Sequence, residues 1–249
     1  MTSREATQYL PRSDAESWPE DVRRSPADIA HLIAFGAIGW PWLLRSLSGG
    51  SKQAKARLLE RLDLPAGALP NLGSWKADTG FLHLIVDHIF EHRPENVVEL
   101  GAGASSLIIA RALQKAGNGL LTSCDQHADF VDATREWLLE NGVEADLKAT
   151  PLRRPPGDWP GIWYDHGPLP AQIDLLVIDG PPWTIHPYVR GAAESLFDRI
   201  PVGGTILLDD GARPGERVVA RRWRKRWPNF QFRLVHAGTK GTLIGTRLR

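Results

Sequence analysis

The sequence has little sulfur and almost no net charge. It contains one cysteine and one methionine in 249 residues, and its 30 basic side chains nearly balance 29 acidic ones. A single cysteine, Cys124, excludes an intramolecular disulfide framework and a zinc site built from cysteines. A formal charge of +1 gives no electrostatic argument for nucleic acid or an anionic membrane as the main partner.

Long apolar segments are also missing from the printed sequence. We find no apolar run of the ~18–20 residues that span a bilayer, and the charged N-terminus lacks the apolar region of a secretory signal. These absences predict a cytoplasmic protein. Ten tryptophans stand against three tyrosines, and we expect some of these indoles to line a pocket or an interface.

The pattern of apolar residues divides the chain near residue 70. Residues 1–70 are predicted to form a polar arm and a helical extension, with Ser25 as a helix N-cap and a break at Gly49-Gly50. Residues 71–249 form the main domain, in which short apolar runs alternate with helical patterns. This alternation predicts βαβ units and a parallel sheet covered on both faces. The last two runs flank the glycine turn HAGTKG, which predicts a terminal antiparallel hairpin.

A glycine turn follows the first strand of the main domain. Gly101 and Gly103 let the backbone approach a ligand closely, and the next helix presents free N–H groups at its N-terminus. Glu99 is placed to face a cationic amine, and Asp125 lies about 20 residues after the turn, where an acid commonly holds ribose hydroxyls. Ser106 replaces the third glycine of a dinucleotide fingerprint, which makes NAD less favoured. A glycine turn without a ligand remains an alternative.

Acidic residues end the two strongest strands. Asp179 closes IDLLVID, and Asp209 and Asp210 close GTILLDD. Three carboxylates at adjacent strand ends repel one another unless a cation, a proton or a donor lies among them; a capping role for Asp209 is an alternative. His186 follows in the next loop and is a candidate general base, with a solvated loop histidine as the alternative.

A long loop rich in proline and tryptophan spans residues 151–171. Loops of more than about 12–15 residues are often lids or binding loops. We expect aromatic side chains of this loop and its neighbours to form the wall of an acceptor site: Trp75, Trp159, Trp163, Tyr164 and Trp183.

Together these motifs resemble the class I S-adenosylmethionine-dependent methyltransferases. The resemblance rests on strand–ELGAGAS–helix, then CDQ, IDLLVIDGPPW and LLDDGARPGER, and it covers roughly residues 72–249. Within that superfamily it points to a bacterial branch related to catechol-type O-methyltransferases. It implies a Rossmann-like three-layer α/β/α sandwich with a mostly parallel, seven-stranded sheet.

The resemblance also implies site residues. The cofactor would be held by Glu99, Gly101, Gly103, Ser105, Asp125, Gln126 and Asp179, with Asp125 on the ribose and Gln126 near the adenine. Catechol-type relatives place magnesium at the strand ends, where Asp179 and Asp210 match two ligand positions. The third ligand, an asparagine, is Gly211 here, and the lysine base corresponds to Pro182. These departures argue against magnesium, although water can complete a ligand set.

The sequence therefore predicts in-line methyl transfer from S-adenosylmethionine, with O-methylation of a small hydroxylated acceptor. Asp179 would orient or deprotonate the acceptor, His186 is an alternative base, and Asp210 has a supporting role. The alternatives are a cofactor-binding module without catalysis and an NAD-dependent oxidoreductase. RNA is disfavoured by the near-neutral charge, and Trp40 and Trp42 in the helical extension make a homo-oligomer possible.

Overall fold

The computed structural model describes residue 19 and residues 22–249. Most of the predicted polar arm lies outside the described residues. Three helices precede the sheet: α1 (Pro26–Ser46), α2 (Lys52–Arg61) and α3 (Thr79–His92). The Ser25 side chain accepts from the backbone N–H of Asp28, and the Asp28 carboxylate accepts from the backbone N–H of Ser25. This reciprocal cap starts α1, as predicted.

The main domain alternates strands and helices. In chain order its elements are β1 (Asn96–Leu100), α4 (Ala104–Ala116), β2 (Leu120–Asp125), α5 (Ala128–Glu140), β3 (Asp146–Ala149), β4 (Leu152–Arg153), β5 (Trp163–Tyr164), β6 (Leu175–Ile178), a 3₁₀ helix (Val189–Arg199), β7 (Thr205–Leu208), α6 (Pro214–Arg226), β8 (Phe230–Val235) and β9 (Thr242–Arg247).

Seven of the strands form one sheet in the order β3-β2-β1-β6-β7-β9-β8. The pairs from β3 to β7 are parallel, whereas β9 runs antiparallel to both β7 and β8. The predicted α/β fold with its terminal hairpin is confirmed. The winding direction reverses between β1 and β6, and open α/β sheets bind ligands beyond the strand ends at this point.

Two segments differ from their predicted form. The predicted helix near residue 190 is wound as a 3₁₀ helix, and its Gly191 carbonyl accepts from the Trp223 indole N–H at 3.0 Å. The predicted loop at residues 151–171 contains the short antiparallel pair β4–β5. This pair anchors Tyr164 near the strand ends.

A hydrophobic cluster covers each face of the sheet. Leu58 and Leu62, at α2, are fully buried in the same cluster as Phe81 of α3 and Val97 of β1. The helical extension therefore contributes to the core of the main domain. The division of the chain into residues 1–70 and residues 71–249 stays a prediction.

α1 lies on the surface of this core. Its 21 residues are long and apolar enough to cross a membrane by length and composition alone, so our expectation that no such run exists was wrong. Ile33, Trp40 and Leu47 are more than half exposed. The opposite face packs on the protein, where the Phe35 ring contacts that of Tyr188 at 5.1 Å between centroids.

Asp78 ties the start of α3 to the terminal hairpin. It is 1% exposed and caps α3 by accepting from the backbone N–H of Phe81 at 2.9 Å. The same carboxylate accepts from the backbone N–H groups of Thr239 and Lys240 at 2.6 and 3.2 Å. One side chain therefore joins segments 161 residues apart in the chain.

We expect Asp78→Ala to lower the free energy of unfolding by about 2–4 kcal/mol, because it removes a helix cap and leaves buried donors unpaired. Urea unfolding measures the change. Asp87→Ala is the matched control in the same helix, because Asp87 is half exposed and pairs only with Arg61 at the surface; its cost should stay below about 1 kcal/mol. Equal losses in the two variants would contradict the role of Asp78.

Candidate active site

A cavity of about 460 Å³ opens at the carboxyl ends of the central strands, a volume that suits a small-molecule site. Its floor is formed at the ends of β1, β2, β6 and β7 by Gly101, Asp125, Asp179 and Asp210. Trp42 and Leu43 of α1 and Trp75 line it from the N-terminal side. The cavity therefore lies at the switch point of the sheet.

The glycine turn between β1 and α4 forms one wall of the cavity, with Gly101, Gly103 and Ser105 among the lining residues. Gly101 has φ of 101°, and a Cβ on it would lie 2.5 Å from the backbone nitrogen of Gly180. Only glycine allows this conformation and this close approach to the end of β6. The predicted turn is present at the predicted place.

Glu99 lies beneath this turn and is not among the cavity-lining residues. Its side chain is fully buried and accepts from the hydroxyls of Ser106 and Ser123, both at 2.5 Å. Burial raises the pKa of Glu99 to about 7, and these serine hydroxyls oppose the rise. Glu99 Oε1 has no hydrogen-bond partner among the described residues, so the predicted contact between Glu99 and a cofactor amine stays a prediction.

Asp125 and Gln126 at the end of β2 both line the cavity. Asp125 Oδ1 accepts from the backbone N–H of His127 at 3.0 Å, and burial raises the pKa of this carboxyl to about 7. Among the described residues, Gln126 Oε1 and the Tyr164 hydroxyl are buried without a hydrogen-bond partner. Buried polar atoms without partners are costly, so these two atoms at the cavity suit a ligand that completes their hydrogen bonds.

Arg190 connects the acidic ends of β6 and β7. Its guanidinium donates to both the carbonyl and Oδ1 of Asp179 and to Asp210 Oδ2 at 3.0 Å. It also donates to the carbonyl oxygens of Pro181 and Asp209 at 3.2 and 3.3 Å. These five contacts match the five N–H donors of arginine. Arg190 therefore holds both strand ends in one arrangement.

Asp210 lies among three cations. Arg213 Nη2 is 3.1 Å from its Oδ2, and Lys240 Nζ is 3.7 Å from its Oδ1. Burial alone would raise the pKa of Asp210, but Arg213, Lys240 and Arg190 outweigh it and hold the pKa below its usual range. Burial raises the pKa of Asp179 and raises that of Asp209 well above its ordinary value. Asp210 is thus an ionised partner of the cations, whereas Asp179 is the more basic carboxylate facing the cavity.

His186 does not reach this cavity. It is 1% exposed, its Nδ1 accepts from the backbone N–H of Tyr188 at 3.1 Å, and its Nε2 lies 3.7 Å from Asp28 of α1. Burial lowers the pKa of His186 to about 4. It packs under α1, so its placement removes it from the candidate bases.

The predicted aromatic wall is only partly present. Trp75, Tyr164 and Trp183 line the cavity, whereas Trp163 is 1% exposed and packs in the core. Trp159 is also buried in that core. The short β4–β5 pair explains the difference, since neighbouring residues of a strand face opposite sides.

Sequence reasoning missed the cations of the site and the contribution of α1. Arg190, Arg213 and Lys240 belong to three separate elements, and no spacing in the sequence links them. Trp42 was noted only as a possible contact between subunits. One signal in the sequence could have predicted these cations: three carboxylates at neighbouring strand ends need neutralising partners when they are buried.

The buried carboxyl of Glu99 predicts a pH dependence of stability. Its pKa in the folded state is about 7, above the ordinary 4.5, so the unfolded chain releases the proton first as pH rises. Folding stability should therefore fall between pH 4.5 and 7, by up to about 3 kcal/mol from this group. Between pH 4.5 and pH 8, the free energy of unfolding of Glu99→Gln should therefore rise relative to that of wild type by about this amount. Urea unfolding at the two pH values measures the change.

Glu95→Gln is the control for this measurement, because Glu95 precedes the same strand and is exposed. Its difference from wild type should stay constant with pH. A constant difference for Glu99→Gln as well would mean that Glu99 is not held in its protonated form by burial.

Comparison with known proteins supports this geometry. Residues 98–211 match a family model described as a methyltransferase domain. A stretch of 115 residues is 31% identical to the UDP-N-acetylmuramoylalanine–D-glutamate ligase of Pelotomaculum thermopropionicum, covering 46% of this chain and 21% of the ligase. The chain spans about a fifth of the length of that curated relative, so the similarity is local.

Solved structures share the fold. The O-methyltransferase TomG from Streptomyces achromogenes, in complex with SAM, superposes with a TM-score of 0.52 at 15% identity, over 88% of this chain and 99% of that one. The O-methyltransferase from Bacillus cereus, in complex with SAH, gives 0.53 at 14% identity, over 87% and 99%. Residues 98–211 thus match a methyltransferase domain, and the sheet order with its terminal hairpin is a fold that the chain shares with these solved O-methyltransferases.

Proposed function

We propose that this protein transfers a methyl group from S-adenosylmethionine to an oxygen of a small hydroxylated acceptor. One observation carries the proposal: the glycine turn, Asp125 and Asp179 all line a single cavity at the switch point of the sheet. The matched methyltransferase domain supports the reaction type. The O-methyltransferases that share the fold support oxygen as the acceptor atom.

The cofactor would lie along the ends of β1 and β2. The turn from Gly101 to Gly103 and Ser105 would hold its methionine part, with N–H groups at the start of α4 facing the carboxylate. Asp125 would accept hydrogen bonds from the ribose hydroxyls, and Gln126 would contact the adenine. Glu99 would fix the turn from below through Ser106.

The acceptor would lie between Asp179 and the aromatic side chains of Trp75, Trp183 and Tyr164. S-adenosylmethionine supplies an electrophilic methyl group on a sulfonium sulfur. The chain aligns the acceptor oxygen with the methyl carbon and excludes water, and alignment alone can supply about 7–11 kcal/mol. The bond between the acceptor oxygen and the methyl carbon would form as the C–S bond breaks, and the electron pair of the C–S bond would return to sulfur.

Asp179 is the candidate for the acceptor's proton. Its carboxylate lies at the end of β6, where Oδ1 is 3.3 Å from Arg190 Nη2. Burial raises its pKa, which makes the carboxylate a stronger base for a hydroxyl proton. Asp210 supports this arrangement from outside the reaction, because it anchors Arg190.

Two expectations stay predictions. A homo-oligomer would use the exposed apolar side chains of α1, among them Ile33 and Leu44. A small-molecule acceptor, and not nucleic acid, fits the balanced charge of the chain.

Binding of S-adenosylhomocysteine tests the cofactor site. We expect isothermal titration calorimetry to show one site, and Asp125→Asn to weaken it by about 10- to 100-fold, because a charged acceptor of ribose hydrogen bonds is lost. Asp132→Asn, on the exposed face of α5, should bind as wild type does. Binding of NAD in place of S-adenosylhomocysteine would overturn the proposal in favour of an oxidoreductase.

Methyl transfer from radiolabelled S-adenosylmethionine to a panel of small hydroxylated aromatic compounds tests the chemistry. Asp179→Asn should lower turnover by about 10²–10⁴-fold, because the base is lost, while its affinity for S-adenosylhomocysteine stays within about tenfold of wild type. Asp165→Asn is an exposed control and should retain full turnover. Normal turnover by Asp179→Asn would contradict the role of Asp179, and cofactor binding with no acceptor methylated would favour a non-catalytic module.

A further inference from the structure

The strand ends present three carboxylates in the arrangement of a cation site. One oxygen each of Asp179, Asp209 and Asp210 lies within 4.8 Å of the others. Magnesium binds in proteins through carboxylate oxygens and water, and the resemblance to catechol-type enzymes places magnesium at this location. The residues around the three carboxylates therefore decide whether a divalent ion fits.

A lysine ammonium already lies among these carboxylates. Lys240 Nζ is 3.5 Å from Asp209 Oδ2 and 3.7 Å from Asp210 Oδ1. The side chain is 2% exposed, and its ammonium also donates to the carbonyl of Lys76 at 2.8 Å. The lysine thus offers a charge of +1 where a metal ion would offer +2.

Two guanidinium groups use oxygens that a metal ion would need. Asp210 Oδ2 lies 3.0 Å from Arg190 Nη1 and 3.1 Å from Arg213 Nη2. Arg190 also lies 3.3 Å from Asp179 Oδ1. Both oxygens of Asp210 and one of Asp179 therefore have cationic partners, and a divalent ion would be repelled by all three cations.

The fold holds Lys240 firmly in this place. The backbone N–H of Lys240 donates to Asp78, and its carbonyl accepts from the N–H of Ala212 at 3.2 Å, in the loop after β7. Gly238, in the same turn, has φ of 73°, and a Cβ on it would collide with the Asp78 carboxylate. The backbone of the turn is thus held on two sides, and the ammonium itself would have to break its hydrogen bond to the Lys76 carbonyl to make way for an incoming ion.

We propose that Lys240 replaces the divalent cation of this site, so that the protein binds no magnesium there and acts without one. Lys240 is a positioning residue: it neutralises Asp209 and Asp210 and leaves Asp179 available to the acceptor. Absence of metal binding follows from the geometry alone. Metal-independent turnover rests in addition on the proposed methyl transfer.

Manganese is the probe, because its electron paramagnetic resonance signal reports binding directly. We expect the 249-residue chain to leave Mn²⁺ free up to about 1 mM, equivalent to a binding free energy weaker than ~4 kcal/mol. Lys240→Met removes the charge at similar length and should bind one Mn²⁺ at least about tenfold more tightly than wild type. Lys240→Arg retains the charge and should not bind it.

Lys225→Met, an exposed lysine on α6, controls for the loss of one positive charge from the protein. It should behave as wild type does. If wild type binds one Mn²⁺ and Asp210→Asn loses this binding, the proposal is overturned, even if Lys240→Met fails to fold. A Lys240→Met variant that folds but binds no Mn²⁺ would also contradict the proposal, because Lys240 would then not be the group that excludes the ion.

S-adenosylhomocysteine titration of the same samples separates this inference from the proposed function. The affinity of the protein for S-adenosylhomocysteine should be unchanged by EDTA or by magnesium. If the protein does not bind S-adenosylhomocysteine at all, only the proposed methyl transfer is overturned. Conversely, tight Mn²⁺ binding with normal S-adenosylhomocysteine affinity would overturn only the role of Lys240.

Discussion

The arrangement of the site depends on the burial of carboxylates at neighbouring strand ends. Removing several negative charges from water costs more free energy than any single ion pair returns, unless partners and hydrogen bonds are placed well. Here Arg190, Arg213 and Lys240 supply those partners. Truncating any one of them would weaken the compensation of a buried charge, so the cluster constrains every element that contributes to it.

This constraint explains why distant segments meet at the cavity. Lys240 comes from the terminal hairpin, Arg190 from the 3₁₀ helix and Arg213 from the start of α6. Asp78, at the start of α3, secures the hairpin turn that carries the lysine. The terminal hairpin therefore brings a cation to the acidic strand ends and also forms the edge of the sheet.

The same cluster separates the roles of three acidic side chains with similar chemistry. Asp210 is surrounded by cations and stays ionised, Asp209 is buried with a raised pKa, and Asp179 faces the cavity. Three carboxylates with the same chemistry thus have three different electrostatic environments. Across the cavity, α1 contributes the apolar side chains of Trp42 and Leu43, while other apolar side chains of the same helix stay exposed.

Local signals in the sequence were sufficient for most of the fold. The periods of apolar residues located the central strands and most helices, and the Gly101–Gly103 turn and the acidic strand ends marked the site, because each depends on residues close in the chain. The sequence could not place Glu99 beneath the turn, His186 under α1 or Trp163 in the core, since burial depends on neighbours distant in sequence. Nor could it bring Lys240 to Asp209. What the sequence by itself determined was the order of the elements and the acidic residues at the strand ends; only the tertiary structure decided which charges meet there, because ion pairs form between side chains that folding brings within a few ångströms.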